Sequence, residues 1–237
     1  RNQSEAQVRA VTESARALGF ESVNYDLVYG LPLQTAAGLA RTIATVVALA
    51  PDRIAFYGYA HVPWLKPGQR RFTELDLPSP DERRGLYELG RELFVAAGYR
   101  EIGLDHFALP SDPLWKAHLE GTLHRSFMGY TERPVEPLIG LGVSAIGDSG
   151  RAFAQNAKVL EPYLERLAAG GLPIVRGHVL DAEDLELRGH IHNLMTRFET
   201  SWTAASPAAA LLRTLPERLG DMVADGLVEL GPGPGQP

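Results

Sequence analysis

The sequence predicts an α/β protein in which helices alternate with parallel strands. Three segments repeat the order of an amphipathic helix, a stop signal and a short apolar strand, an order typical of parallel βα units. The composition, 45% hydrophobic and 22% charged, is that of a globular domain, and no apolar run is long enough to cross a bilayer. These observations indicate either a barrel or an open doubly wound sheet.

The first two helix–strand units end at recognisable stop signals. A helical pattern over 5–18 stops at Gly19, and an apolar strand is expected over 22–28. The next helix ends at Pro51, before a strand over 53–59. Glycine and proline are common after helix ends, so both boundaries have a physical cause.

The third unit has the clearest start signal. Ser79, Pro80 and Glu82 follow the pattern of an N-cap, a proline at the first helical position and a capping-box glutamate. The helix is expected to end at Gly98, and a strand is expected over 100–104.

Polar residues are expected where each of the three strands ends. They are Asp26, then Ala60-His61, then Asp105-His106. Ligands of parallel α/β folds bind at the carboxyl ends of strands, so a shared site is predicted there. The alternative is that Asp26 and Asp105 cap the turns that follow them.

The second half of the chain has a looser pattern and a boundary is predicted near Gly150. A βα half over 1–150, a mostly helical domain over 151–230 and a disordered tail over 231–237 are expected. Within these regions the patterns predict a buried glycine-rich strand and turn over 138–147, a strand over 175–180, helices over 113–121, 156–170 and 181–198, and a helical pair with a hairpin-like strand over 206–230.

Charge and residue types exclude several functions. The net charge is −6 with acids and bases intermixed, which argues against a nucleic-acid surface. Without cysteine the chain alone forms no disulfide, thiolate metal site, cysteine nucleophile or thiolate-bound iron–sulfur cluster. His190 and His192 are two residues apart on a predicted helix and point in different directions, so both are interpreted as structural and no metal site is predicted in this chain.

The remaining candidates for chemistry are polar residues. An aspartate at a strand could accept hydrogen bonds from a ribose or an amine, and histidine or arginine could bind substrate carboxylates. The residues alone leave the reaction open; they are Asp26, His61, Asp105, His106, His124 and Arg125.

Several strings, in order along most of 1–202, resemble the oxygen-independent coproporphyrinogen III oxidases, a radical-SAM family. The Asp-Leu-x-Tyr-Gly-Leu-Pro string at 26–32 is also found in related radical-SAM proteins, including haem-chaperone-like ones. The strings at 103–108 and 123–131, which include Asp105-His106-Phe107-Ala108 and Leu123-His124-Arg125, are more specific to the oxidases. Further matches lie at 59–63, 76–80, 140–146 and 154–156.

The resemblance implies the C-terminal part of a partial parallel βα barrel of the radical-SAM type, followed by a mostly helical domain. In this family a [4Fe–4S] cluster, bound by a Cys-x3-Cys-x2-Cys segment upstream of Arg1, and two S-adenosylmethionine molecules support catalysis. A 5′-deoxyadenosyl radical starts the oxidative decarboxylation of coproporphyrinogen III to protoporphyrinogen IX in haem biosynthesis. The complete protein is expected to be this oxidoreductase, and the present chain alone is expected to be inactive.

The resemblance also assigns residues. Arg1, Asp26 and Ala60 match positions that contact the second S-adenosylmethionine, and Ile146 matches a position that contacts the first. His124 and Arg125 are hypothesised to pair with substrate propionates. No catalytic residue is predicted.

The expected partners follow from the same resemblance. They are coproporphyrinogen III and an electron donor such as flavodoxin or ferredoxin, with no nucleic acid or membrane, for a cytoplasmic monomer. A non-catalytic tetrapyrrole- or haem-binding radical-SAM relative is the alternative, and an unrelated metal-independent barrel enzyme is a remote third.

Overall fold

The computed structural model describes residues 3–134, 137–203 and 205–231. The chain divides into two compact units, and the boundary along the sequence lies between Leu123 and His124. The predicted boundary near Gly150 falls in the turn between two strands of the second unit. Arg1 and residues 232–237 of the predicted tail lie outside the described residues.

The first unit alternates helices with strands. Its three helix–strand units confirm the order predicted from the sequence, and two short 3₁₀ turns, Pro67–Arg71 and Glu74–Asp76, precede the third helix. The elements are α1 (Glu5–Ala17), β1 (Asn24–Tyr29), α2 (Ala36–Leu49), β2 (Arg53–Gly58), α3 (Pro80–Ala96), β3 (Arg100–Gly103), β4 (His106–Ala108) and α4 (Pro113–Glu120).

These strands form a sheet with the order β1-β2-β4-β3. β1 and β2 are parallel, as expected, but β4 runs antiparallel to both of its neighbours. The chain reverses after β3 because Gly103, Leu104 and Asp105 all have positive φ angles, of 137°, 40° and 67°. The predicted third strand is therefore one arm of a hairpin at the sheet edge.

The core of the first unit lies between the sheet and the helices α2 and α3. Phe56 and Phe94 are fully buried and meet edge to face at 5.3 Å. A Cβ at Gly90 would lie 2.4 Å from the Phe56 ring, so glycine allows α3 to approach the sheet. Burial raises the pKa of Tyr99 to about 12, and its hydroxyl donates to the Pro51 carbonyl at 2.6 Å.

A buried carboxylate links three parts of this unit. Asp112 is 3% exposed and caps α4 by accepting from the Leu114 N–H at 2.7 Å. The same carboxylate accepts from Arg53 Nε at 2.8 Å and from Ser22 Oγ at 2.7 Å. These charge-assisted bonds connect the segment before β1 to β2 and α4.

The second unit contains two small antiparallel sheets and several helices. One sheet pairs β5 with β6, and the other has the order β7-β8-β9. The elements are β5 (His124–Ser126), β6 (Gly129–Thr131), β7 (Ile146–Asp148), β8 (Ala152–Asn156), α5 (Leu160–Ala168), β9 (Ile174–Val179), α6 (Ala182–Arg197), α7 (Ala209–Leu212), α8 (Leu215–Arg218) and α9 (Gly220–Ala224).

Two predictions for this half are wrong. The stretch 140–145 is a loop, because Gly142 and Ser144 have positive φ angles of 97° and 59° that interrupt an extended chain. The hairpin-like strand expected within 206–230 is also absent from the described residues, where the three short helices α7 to α9 are found instead. The region 151–230 combines these helices with the strands β8 and β9.

No helix in the described ranges is long and apolar enough to span a membrane.

Candidate functional site

Two of the polar candidates, Asp26 and His106, lie on the sheet face that points away from the core between the sheet and the helices α2 and α3, and we call this the open face. Alternate residues of β1 pack against the core, and those between them, Asn24, Asp26 and Val28, are exposed. Asp26 is the third residue of β1, so the expectation that it stands at a strand end is wrong. Its carboxylate projects from the open face on β1, the strand at one edge of the sheet.

Strand register places Asp26 in a row with two other residues. Asp26 of β1 pairs with Ala55 of β2, and Ala55 pairs with His106 of β4. Paired residues share a face, so a carboxylate and an imidazole flank a methyl group. Neighbouring strands are about 4.8 Å apart, which places the Cα atoms of Asp26 and His106 roughly 10 Å apart. We call these three residues the Asp26 row.

The carboxylate of Asp26 has one hydrogen bond within β1. Asn24 Nδ2 donates to Asp26 Oδ1 at 2.8 Å. A carboxylate has about four acceptor positions, and this side chain is exposed, so it can also accept from a ribose hydroxyl or an ammonium group. The remaining acceptor positions of the carboxylate therefore fit the role that the resemblance implies for Asp26.

The imidazole of His106 is oriented by the turn before β4. Its Nδ1 donates to the Leu104 carbonyl at 2.7 Å, which leaves Nε2 as the acceptor nitrogen of the neutral ring. The Tyr57 hydroxyl lies 3.5 Å from that Nε2, and the two rings are edge to face. Because of the β3–β4 hairpin, His106 joins the open face.

Ala60 lies in the segment that follows β2. Gln69 holds this segment, since its Nε2 donates to the Ala60 carbonyl at 3.0 Å and its Oε1 accepts from the Val62 N–H at 2.6 Å. The Tyr59 hydroxyl lies 3.4 Å from Nδ1 of the neighbouring His61. Ala60 therefore presents a small side chain on a fixed backbone beyond the carboxyl end of β2.

Asp105 lines a different cavity from the Asp26 row. This cavity has a volume of about 500 Å³ and is lined also by Tyr29, Arg83 and Tyr87, which lie on β1 and α3. Burial, with the charge of Asp105 adding, raises the pKa of Tyr29. The shared site predicted for Asp26 and Asp105 is therefore not formed by these two side chains.

Ile146 is the first residue of β7 in the second unit and is half-buried. The loop before it packs on its backbone, since a Cβ at Gly140 would lie 2.7 Å from the Ile146 carbonyl carbon. Asn156 Nδ2 donates to the carbonyls of Gly140 and Gly142 at 3.0 and 2.9 Å. A side-chain amide thus holds the loop that the sequence predicted to be a strand.

His124 and Arg125 are adjacent in β5, so their side chains point to opposite faces of the β5–β6 hairpin. The His124 ring lies 4.6 Å from the ring of His192 on α6. The Arg125 guanidinium lies 4.6 Å from the ring of Tyr130, its partner on β6. The buried Nη1 of Arg125 has no hydrogen-bond partner among the described residues.

The structure separates the candidates predicted from the sequence. Asp26 and His106 share the open sheet face, Ala60 and His61 follow β2, and His124 belongs to the other unit. In the described ranges, no group of three or more His, Cys, Asp or Glu side chains is arranged to hold a metal ion.

Sequence reasoning missed two residues near these candidates. Tyr57 lies on the same face as Asp26 because it pairs with Val28 in the parallel register, and strict alternation along the strand predicted from 53 to 59 could have found it. His192 contacts His124, but its place on α6 gave no signal, because the contact depends on how α6 packs against β5.

Comparison with known proteins identifies relatives of this chain. The chain is 43% identical over 202 residues to the oxygen-independent coproporphyrinogen III oxidase of Pseudomonas aeruginosa, covering 85% of this chain and 44% of that protein. It is 42% identical over 220 residues to the enzyme of that name from Cereibacter sphaeroides, covering 92% and 48%.

This chain is homologous to the oxygen-independent coproporphyrinogen III oxidases. A solved structure of coproporphyrinogen III oxidase from Escherichia coli, described as a radical SAM enzyme, matches with a TM-score of 0.88 at 37% identity, over 98% of this chain and 54% of that one. No family model matches. The chain spans about half the length of the oxidases it matches.

The comparison confirms the predicted fold class. The parallel pair β1–β2 with its helices is part of a radical-SAM type partial barrel, as the match to the oxidase structure shows. The β3–β4 hairpin is the feature of this barrel part that the sequence did not predict.

Proposed function

We propose that this chain forms part of an enzyme that decarboxylates coproporphyrinogen III to protoporphyrinogen IX without oxygen, in haem biosynthesis. The observation that carries the proposal is the match to the oxidase structure over 98% of the chain, with a TM-score of 0.88. The Asp26 row supports it, because it offers an exposed carboxylate beside a small residue on the open face of the barrel sheet.

The chain's part in cofactor binding rests on few residues. Asp26 would accept hydrogen bonds from a second S-adenosylmethionine, and Ala60 would contact it through a small side chain. Arg1, outside the described residues, would pair with its carboxylate, and Ile146 would contact the first molecule. When bound with the cluster, S-adenosylmethionine supplies the 5′-deoxyadenosyl radical.

The iron–sulfur cluster needs ligands from outside this chain. The chain has no cysteine, and the [4Fe–4S] clusters of this family are held by thiolates. The proposed donor is a Cys-x3-Cys-x2-Cys segment upstream of Arg1, and flavodoxin or ferredoxin would supply electrons. The proposed setting is a cytoplasmic monomer.

Arg125 would bind one propionate of the substrate. Its buried Nη1 has no hydrogen-bond partner among the described residues, and a guanidinium can donate two parallel hydrogen bonds to a carboxylate. His124 lies on the opposite face of the hairpin and would face a different propionate.

The test is an anaerobic assay of the complete protein, with its cluster reconstituted and S-adenosylmethionine and reductant supplied, that measures CO2 and protoporphyrinogen. Asp26→Asn should weaken S-adenosylmethionine binding about tenfold, because the charge-assisted hydrogen bonds are lost. The control is Asp81→Asn, an exposed carboxylate in the first turn of α3.

Two results would contradict the proposal. Porphyrin binding without CO2 would assign the protein to the non-catalytic tetrapyrrole- or haem-binding alternative. Turnover with unaltered S-adenosylmethionine affinity in Asp26→Asn would keep the reaction but remove Asp26 from the cofactor site.

A further inference from the structure

The second unit holds a histidine that the family assignment leaves without a role. His192 is on α6, and its ring lies 4.6 Å from the ring of His124 on β5, with 33° between the planes. Two imidazoles in contact are a costly arrangement when both are charged, so at least one ring is neutral in the folded chain.

The surroundings of His192 are cationic. Burial lowers the pKa of His192, and the positive charges of His124, Arg197 and Arg188 lower it further. Arg188 also makes two parallel hydrogen bonds to Asp148, at 2.9 and 2.8 Å. Because these side chains are positively charged, the surroundings of the neutral His192 ring attract an anion.

One nitrogen of the His192 ring, Nε2, has no hydrogen-bond partner among the described residues. This nitrogen is buried. A buried polar atom in that state costs free energy and is rare in folded proteins. Such an atom calls for an explanation, and a ligand that accepts a hydrogen bond is one that fits its charged surroundings.

We propose that His192 donates its Nε2–H to one carboxylate of the substrate, with the His124 ring packed beside it. The inference rests on the proposed function, because it assigns the site to a substrate with several propionates. It turns His192, interpreted from the sequence as structural, into a substrate-binding residue.

This carboxylate subsite is separate from that of Arg125. Arg125 packs over Tyr130 on the other face of the hairpin, and the Tyr130 hydroxyl donates to the Met195 carbonyl on α6 at 2.6 Å. The two faces of one short hairpin would therefore bind two different propionates. A substrate with carboxylates spread around a macrocycle matches two separated anion subsites.

The experiment measures binding of coproporphyrin III, the stable oxidised counterpart of the substrate, and of its tetramethyl ester to the full chain. His192→Leu removes the donor, whereas His192→Gln keeps an N–H close to the position of Nε2. His178→Leu is the matched control, because His178 is exposed on β9 and pairs with Asp184 at 2.7 Å.

We expect His192→Leu to weaken binding of the free acid about tenfold, since a hydrogen bond to a charged group is lost. His192→Gln should restore binding to within about twofold of the parent. The ester, which carries no carboxylate, should bind parent and variant alike.

Other outcomes overturn the inference. Equal losses for the acid and the ester would show that His192 acts through packing. Parent-like affinity in His192→Leu would remove the subsite while leaving the proposed function in place. If the parent chain bound neither porphyrin, the substrate assignment itself would fail, and the inference with it.

Discussion

The two units of this chain bury different kinds of groups. In the first unit, Phe56, Phe94 and Phe107 are each 0% exposed within the layer of helices and sheet. In the second unit, all six residues of β9 are exposed and α5 has no buried residue. Yet this unit buries nitrogens of three side chains, Arg125, His190 and His192, that have no hydrogen-bond partner among the described residues, whereas the first unit has one such nitrogen, Nδ1 of His118.

The difference indicates how the units divide structure and function. Apolar packing stabilises the first unit, and its candidate site lies on an exposed sheet face. The second unit has less apolar burial and places polar atoms where they cost free energy. Buried polar atoms without a hydrogen-bond partner are expected more often at functional sites than elsewhere. They therefore favour a ligand-binding role for the β5–β6 hairpin and α6.

The largest expected effect comes from the aromatic core. Phe56→Ala should lower the free energy of unfolding by about 3–5 kcal/mol, because the ring contacts Tyr29 and Phe94 in a closed core. Leu164→Ala on α5, where the side chain is 51% exposed, should change it by less than about 0.5 kcal/mol. Urea denaturation measures both values, and hydrogen exchange locates the loss.

Equal losses of unfolding free energy for the two variants would contradict the difference in apolar burial between the units. They would mean that the Leu164 side chain is covered in solution. A loss of hydrogen-exchange protection confined to the first unit in Phe56→Ala would show that the two units unfold separately.

The helix starts were predictable because their signals are local. Ser79, Pro80 and Glu82 predicted α3, and the Ser79 hydroxyl does accept from the Glu82 N–H at 3.3 Å. Asp181 and Asp184 likewise form the capping box of α6. Helix stop signals followed by short apolar runs also located β1 and β2, so the part of the fold set by neighbours in sequence could be predicted.

The rest depends on contacts that sequence spacing does not encode. The reversal at Leu104 and Asp105 needs left-handed backbone at two consecutive residues other than glycine; aspartate adopts this conformation more readily than most residues, but leucine has no local preference for it. The reversal places His106 beside Ala55. The alignment of Asp26, Ala55 and His106 across three strands could therefore not be predicted from the sequence. The His192–His124 contact similarly depends on how α6 packs against β5.

The next effect concerns a buried carboxylate of the first unit. Asp112→Ala should lower the free energy of unfolding by about 2–3 kcal/mol, because it removes the α4 cap and the acceptor of Arg53 and Ser22. Glu5→Ala, which removes the exposed ion pair with Arg9, is the control and should cost at most about 0.5 kcal/mol. Thermal and urea unfolding measure both. A similar cost for both variants would contradict the importance of burial at Asp112.

The smallest expected effect is the pH dependence of the ion pair in the second unit. Burial raises the pKa of Asp148, but the hydrogen bonds from Arg188 and from the Gly150 N–H outweigh it and hold the pKa below its usual range. A carboxylate with a lowered pKa stabilises the folded state above its unfolded pKa, and this stabilisation is lost as the pH falls through the folded value.

Asp148→Asn should therefore lower the free energy of unfolding at pH 7 by about 1 kcal/mol, as expected for a partly exposed, bidentate pair. The difference from the parent should shrink as the pH falls below the unfolded aspartate pKa of about 4 and through the lower pKa of Asp148 in the folded state. Urea denaturation from pH 7 to pH 3 measures this, with Glu165→Gln on α5 as the exposed control. A difference that stayed constant with pH would mean that Asp148 contributes by shape rather than by charge. In that case Asp148 would neutralise less of the positive charge around His192 than its two hydrogen bonds from Arg188 indicate.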